Sequence, residues 1–150
     1  MNRIIRFLFF IVNIFILICC SKDKDVTPLS IKGTWKVESY QDLVTNSSIV
    51  KTNENSWDGM DVILTFDDSS KPYEIRGKNT SNYINGVFTY VNNGEINISH
   101  LTTSYADEPE WGFLFTRAYL KGLKEFVIID NKLTIFYDNK TKCIIFVKEN

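Results

Sequence analysis

Glu125-Phe126-Val127-Ile128-Ile129, Lys132-Leu133-Thr134-Ile135-Phe136-Tyr137 and Lys142-Cys143-Ile144-Ile145-Phe146-Val147-Lys148 follow one another directly. Only Asp130-Asn131 and Asp138-Asn139-Lys140-Thr141 separate them. Each run is short and rich in β-branched and aromatic residues, as strands are. Such brief connections leave no room for a crossover helix, so the three strands are antiparallel neighbours. This end of the chain makes the protein mainly β.

Just upstream the periodicity changes. Trp111, Leu114, Phe115, Ala118, Tyr119 and Leu123 recur every three or four residues, the spacing of one face of a helix. The pattern predicts a helix over about 109–121. Asp107 or Glu108 is placed to cap its start, Pro109 suits the first turn, and Gly122 ends it. Lys121 and Lys124 complement its dipole.

Earlier still, apolar alternation broken by Asn, Asp and Gly predicts strands at Thr34–Tyr40, Asp61–Asp67, Tyr73–Arg76, Val87–Val91 and Glu95–His100. Asn92-Asn93-Gly94 joins the last two as a hairpin. The polar stretch 41–58 reads mostly as a long loop. About eight strands and one helix predict a small, strongly curved antiparallel sheet or barrel with the helix packed against it. Trp35 and the helix residues Trp111, Leu114, Phe115 and Ala118 are expected to share one core.

The first 25 residues read as an address. Arg3 and Arg6 precede Phe7–Ile18, an apolar run broken only by Asn13, and Lys22-Asp23-Lys24-Asp25 follows shortly after. A basic start, a short apolar centre and a polar exit make a secretory signal peptide. Twelve residues give roughly 18 Å of helix, short of the roughly 30 Å hydrocarbon core of a bilayer. The expected domains are a signal peptide at 1–19, a tether at 20–30 and a β domain at 31–150.

Composition excludes several function classes. The 150 residues carry 17 Lys+Arg, 18 Asp+Glu, one His and 3 Cys, for a formal charge of −1. No basic stripe suits nucleic acid. Cleavage before Cys20 would remove Arg3 and Arg6, leaving 15 basic against 18 acidic residues. No metal or cofactor is expected, because one His and so few Cys make a poor ligand set. Cys143, in an apolar run, reads as a buried side chain.

Catalytic constellations are missing as well. His100 has no Gly-x-Ser-x-Gly partner and reads as a surface residue at a strand end. The pairs Asp67-Asp68 and Asp107-Glu108 sit at a turn and a helix start, where acidic residues are favoured without any chemistry. Asp58-Gly59-Met60-Asp61 lacks the ligands of a calcium loop. No catalytic residue is assigned, and the protein is expected not to be an enzyme.

Four resemblances add expectations. Leu17-Ile18-Cys19-Cys20 resembles the lipobox of bacterial lipoproteins, with Leu17 at the aliphatic position and Cys20 as the lipid-bearing residue. Cys19 with Ile16 is the alternative, which would leave bulky Ile18 at the cleavage point. The resemblance implies diacylglycerol on the thiol, a palmitate-type chain on the new amino group and an outer-membrane setting in the cell envelope. Several acyl chains anchor stably where one does not. The charged stretch 22–25 resembles the surface-export signal of Bacteroidetes-type lipoproteins.

Residues 31–147 resemble the META/HslJ domain family. Gly33-Thr34-Trp35 matches its opening, and Gly77, Asn82, Gly86 and Phe88 match its central motif; Ser81 stands where Cys is usual and Ile84 where an aromatic is. Thr103-Ser104-Tyr105-Ala106-Asp107 echoes a later element, also without its Cys. Glu110–Leu123 and Phe126–Ile135 correspond to the family's helix and following hairpin. Gly33-Thr34-Trp35 also resembles the opening of lipocalins and other calycins.

These resemblances imply a fold and an envelope setting, with two functional expectations. One is a lipid-anchored binding or chaperone-like module for a partner protein or envelope component. The other is a lipocalin-like carrier of a small apolar ligand, with Trp35 and Phe88 as candidate ligand-binding residues. A cavity of roughly 300 Å³ or more inside the barrel would favour the carrier. A packed interior with exposed aromatics would favour the module.

Overall fold

The computed structural model describes residues 29–149. The signal peptide, Cys20 and the tether up to residue 28 lie outside the described residues. Nine strands form one antiparallel sheet: β1 (Gly33–Asp42), β2 (Ser47–Val50), β3 (Ile63–Asp67), β4 (Tyr73–Asn79), β5 (Asn82–Asn92), β6 (Glu95–Thr103), β7 (Glu125–Ile129), β8 (Lys132–Tyr137) and β9 (Lys142–Lys148). A helix, α1 (Glu110–Leu120), lies between β6 and β7. β1 also pairs with β9 from Trp35↔Lys148 to Asp42↔Lys142, and this closes eight strands into a barrel. β2 stands outside the circuit, paired with the second half of β1.

The three C-terminal strands have the bounds read from sequence, and α1 falls within the expected 109–121. β2 lies in the stretch expected to be mostly loop. Asp42 Oδ1 accepts from the backbone N–H of Val44 and Thr45, and Asn46 takes φ +54° to turn the chain back. All four β2 residues are exposed, so the strand has no buried face to imprint alternation on its sequence. β4 and β5 run further than their apolar patterns, meeting in a two-residue turn at Thr80-Ser81.

The interior is filled. Trp35, Leu64, Phe66, Phe88, Ile135 and Phe146 are each 2% exposed or less and belong to one cluster. A side chain lining a void that admits water keeps accessible surface, and these keep almost none. Phe88 packs on Phe66, Tyr73 and Tyr90, with ring centroids 5.5–5.6 Å apart. Gly77 belongs to this close packing, because a Cβ there would run into the Ile63 carbonyl on β3.

Different elements seal the two ends. At one, Ile31 N donates to Tyr90 Oη at 2.9 Å, and Tyr90 donates on to Asp68 at 2.7 Å. Trp35 Nε1 donates to Ile31 O at 2.8 Å, which holds Ile31 and Trp35 together. At the other end α1 lays Trp111, Phe115 and Ala118 into the core, with Leu114 partly buried beside them. Tyr40 donates to the Trp111 carbonyl at 3.1 Å and meets its ring edge-on at 4.9 Å. The seam between β6 and β7 is thin: one residue pair, Glu95↔Glu125, flanked by Ile96 N–Lys124 O and Phe126 N–Gly94 O.

Candidate functional site

The β4–β5 turn delivers Asn79, Thr80 and Asn82 to the helix end of the barrel, where the chain leaves β6 for α1. Asn82 is buried, and its amide is fully used. Oδ1 accepts from Ala106 N at 2.7 Å and from Ser104 Oγ at 3.1 Å, while Nδ2 donates to Ala106 O at 3.0 Å and Glu108 Oε1 at 2.6 Å. The Asn82 N–H also reaches Glu108 Oε1, and the Thr80 hydroxyl donates to Glu108 Oε2. The Gly77–Phe88 and Thr103–Asp107 motifs of the sequence therefore meet at one polar knot.

Glu108 was expected to cap α1, as was Asp107. Neither does. The cap position is Pro109, which makes no side-chain cap bond. Trp111 N instead donates to Asn55 O at 2.7 Å, and Gly112 N to Pro109 O at 3.0 Å. Glu108 is turned back toward the hairpin, where Asn82 and Thr80 offer it three donors, while the first N–H groups of α1 find partners in Asn55 O and Pro109 O. Gly112 makes room for it, since a Cβ there would overlap Glu108 Oε2. At the other end Gly122 follows α1 at φ +83° and its N–H donates to Tyr119 O, while Lys121, expected to complement the helix dipole, pairs with Asp138.

Between this knot and α1 lies a cleft of about 320 Å³, lined by Asn79, Tyr105, Asp107, Glu108, Phe113 and Thr116 among others. Asn79 is 2% exposed; its Nδ2 donates to Thr116 Oγ1 at 2.9 Å, and its Oδ1 has no partner. Tyr105 is fully exposed and Phe113 is 45% exposed, so the walls carry aromatic surface in contact with water. Among the described residues, no Lys, Arg or His lines the cleft. Among the described residues, neither Asp107 nor Glu108 forms an ion pair.

Two further clefts of about 300 Å³ flank Gly122 near the thin β6–β7 seam. Of the charges there, Lys140 pairs with Glu125 and Lys121 with Asp138, while among the described residues Lys124 and Glu95 form no ion pair. Of the phenols at the barrel ends, Tyr40 is buried and Tyr90 and Tyr137 are half-buried. Burial raises the Tyr40 hydroxyl well above its ordinary pKa, with smaller contributions from Tyr137 and Glu108. Burial also pushes Tyr90 up to about 12 and raises the Cys143 thiol.

The residues singled out in the sequence are scattered. Trp35 and Phe88 lie in the packed core at the Ile31 end, and neither lines any of these three clefts. His100 is exposed at φ +54°, in the β6 bulge opposite Gly86. Cys143 is buried and free of disulfides. Among the described residues no group of three His, Cys, Asp or Glu could hold a metal. Asn79, Phe113 and Thr116 gave no signal, because the cleft they line is assembled from separate elements.

No protein-family model matches the chain, and no curated protein matches it. Solved structures do. A protein from Burkholderia xenovorans, determined by NMR, superposes with a TM-score of 0.59 at 13% identity, over 79% of this chain and 83% of that one. A DUF4847 family protein from Bacteroides vulgatus, determined by crystallography, superposes with a TM-score of 0.53 at 18% identity, over 79% of this chain and 95% of that one. At such identities the likeness is one of fold: a mainly β chain with a closed eight-stranded antiparallel barrel, an extra strand and a helix.

Proposed function

We propose that this chain is a non-enzymatic lipoprotein of the bacterial cell envelope, anchored through lipid on Cys20, that binds a partner protein at the Asn79–Glu108 cleft. The lipobox-like Leu17–Cys20 and the META/HslJ-like motifs supply the outer-membrane setting of this reading. The observation that carries it is the placement of the two ends of β5. Tyr90 holds Ile31, where the tether arrives, and Asn82 lies beside the cleft. Eight strand positions separate them, roughly 26 Å at strand rise. A tether at one end and a recess with exposed aromatics at the other is the layout of a module that presents its binding face away from the membrane. The filled interior weighs against carriage of an apolar ligand inside the barrel.

Native protein isolated from its own membrane after cross-linking, with mass spectrometry of everything bound, tests this reading. Wild type is expected to yield an acylated peptide beginning at Cys20 and a partner protein that Tyr105→Ser/Phe113→Ser loses. An apolar small molecule bound in stoichiometric amount and retained by that variant would overturn it in favour of a carrier. An acylated peptide beginning elsewhere would remove the Cys20 assignment.

A further inference from the structure

The buried and the charged side chains of the cleft that lack a partner are acceptors, beside the hydroxyls of Thr103, Tyr105 and Thr116. Asn79 Oδ1 is a buried acceptor with nothing donating to it. Among the described residues Glu108 takes its hydrogen bonds only from the neutral groups of Asn82 and Thr80, so dipoles there solvate its charge and no cation balances it. Asp107 adds a second carboxylate, exposed at the same cleft. A ligand that pairs these acceptors donates hydrogen bonds and carries positive charge. A hydroxyl both donates and accepts, whereas a guanidinium offers five N–H donors and no acceptor.

The aromatic walls select in the same direction. Phe113 and Tyr105 present ring surface beside the carboxylates, and cations, arginine above all, stack on such faces. At about 320 Å³ the cleft is at the small end of the range for ligand sites, roughly 300–1,000 Å³, and holds one side chain rather than an extended molecule. Its surroundings continue the contact surface. Tyr83 stands exposed next to Ser104, held by Tyr83 N–Ser104 Oγ and Ser104 N–Tyr83 O bonds of 3.0 and 3.2 Å. Exposed aromatics around a small anchoring recess are the composition of a protein interface.

Resting on the partner-binding reading above, we infer that the cleft anchors an arginine side chain of the partner protein, its guanidinium between the aromatic walls and the carboxylates of Asp107 and Glu108.

The test titrates the full-length chain in detergent micelles, watched by amide NMR, with three probes. These are a Gly/Ser peptide with one central arginine, the same peptide with citrulline in its place, and N-acetyl-arginine amide. The arginine peptide is expected to shift the amides of Asn82, Ser104–Glu108 and Phe113. Citrulline, which keeps the shape and loses the charge, should bind about tenfold or more weakly, as should the arginine peptide to Glu108→Gln. Glu110→Gln, outside the cleft lining, should change nothing. Should Glu108→Gln fail to fold, Asp107→Asn and Phe113→Ser carry the same expectation at exposed positions. Equal binding of the arginine and citrulline peptides, or no binding of either, overturns the inference. N-acetyl-arginine amide, which carries the same side chain, should bind comparably, and its failure to bind where the peptide binds would show that the contact is not to the arginine side chain. If the native partner still depends on Tyr105 and Phe113 in these cases, the partner-binding reading stands and only its arginine anchor falls. If no partner depends on them, both fall.

Discussion

The carboxylate of Glu108 fills the space in which a side chain on Gly112 would begin. The first turn of α1 and the β4–β5 hairpin are thereby fitted to each other through one acidic residue, which accepts from Asn82 and Thr80 while lying against the helix backbone. The barrel end depends on this contact more than on a helix cap.

A double-mutant cycle measures that dependence. On helix propensity alone Gly112→Ala should stabilise by about 1 kcal/mol; the overlap with Glu108 predicts a net loss instead. Glu108→Ala strands the buried donors of Asn82 and should cost about 1–3 kcal/mol. In the Glu108→Ala background the Gly112→Ala penalty should shrink or reverse, a coupling that urea unfolding of all four proteins reads directly. Additive effects would show that the two residues do not share the space.

Phe115 and Glu110 separate the two faces of α1. Phe115 is buried in the core, so Phe115→Ala should cost about 3–5 kcal/mol. Glu110 makes an exposed pair with Arg117 at 2.7 Å, and Glu110→Ala should cost less than about 1 kcal/mol. Thermal unfolding midpoints of the two variants check this, and comparable shifts would contradict the packing.

How much of this was legible in the sequence follows from where each signal resides. The C-terminal strands and α1 carry their burial as a period, so Leu133, Ile135, Trp111 and Phe115 announce themselves. β2 has no buried face, and the ends of β4 and β5 are polar because they serve the knot and not the core. The cleft was the least legible part. Glu108 looked like a cap because its neighbours in sequence suggested one, while Asn82, its strongest partner, lies 26 residues away. Asn82 did stand out in the sequence, yet what it does there, four amide bonds that tie the β4–β5 hairpin to residues 104–108, depends on partners more than twenty positions away.

Cys143 should behave as a core residue. Burial both shields the thiol and raises its pKa, which lowers the thiolate fraction available to alkylating reagents. Iodoacetamide at neutral pH should therefore label Cys143 only as the protein unfolds, as followed by peptide mass spectrometry. Cys143→Ser, which buries a hydroxyl in the same place, should cost about 1–2 kcal/mol without altering metal content. Rapid labelling of the folded protein would contradict the buried placement.

Alkaline pH should destabilise this protein through its phenols, with the buried Tyr40 the main contributor. Its hydroxyl donates to the Trp111 carbonyl, and burial holds its pKa well above 10, the value it regains in the unfolded chain. Below pH 10 both states keep the proton and the group adds no pH dependence. Above it the unfolded chain loses the proton while the folded one retains it, so unfolding is favoured as pH rises. The slope approaches about 1.4 kcal/mol per pH unit for each such group. Tyr90 acts in the same direction between its unfolded value near 10 and its folded value of about 12, more weakly because it is partly solvated. Lysines and the Cys143 thiol titrate in the same region, so the informative quantity is a difference between proteins. Tyr40→Phe should be less stable than wild type at pH 7, having lost the bond to the Trp111 carbonyl. Its stability should then fall less steeply above pH 10, and the two curves should converge. Urea unfolding at intervals from pH 8 to pH 12 gives both slopes, and parallel curves would show that Tyr40 is not held protonated by the fold.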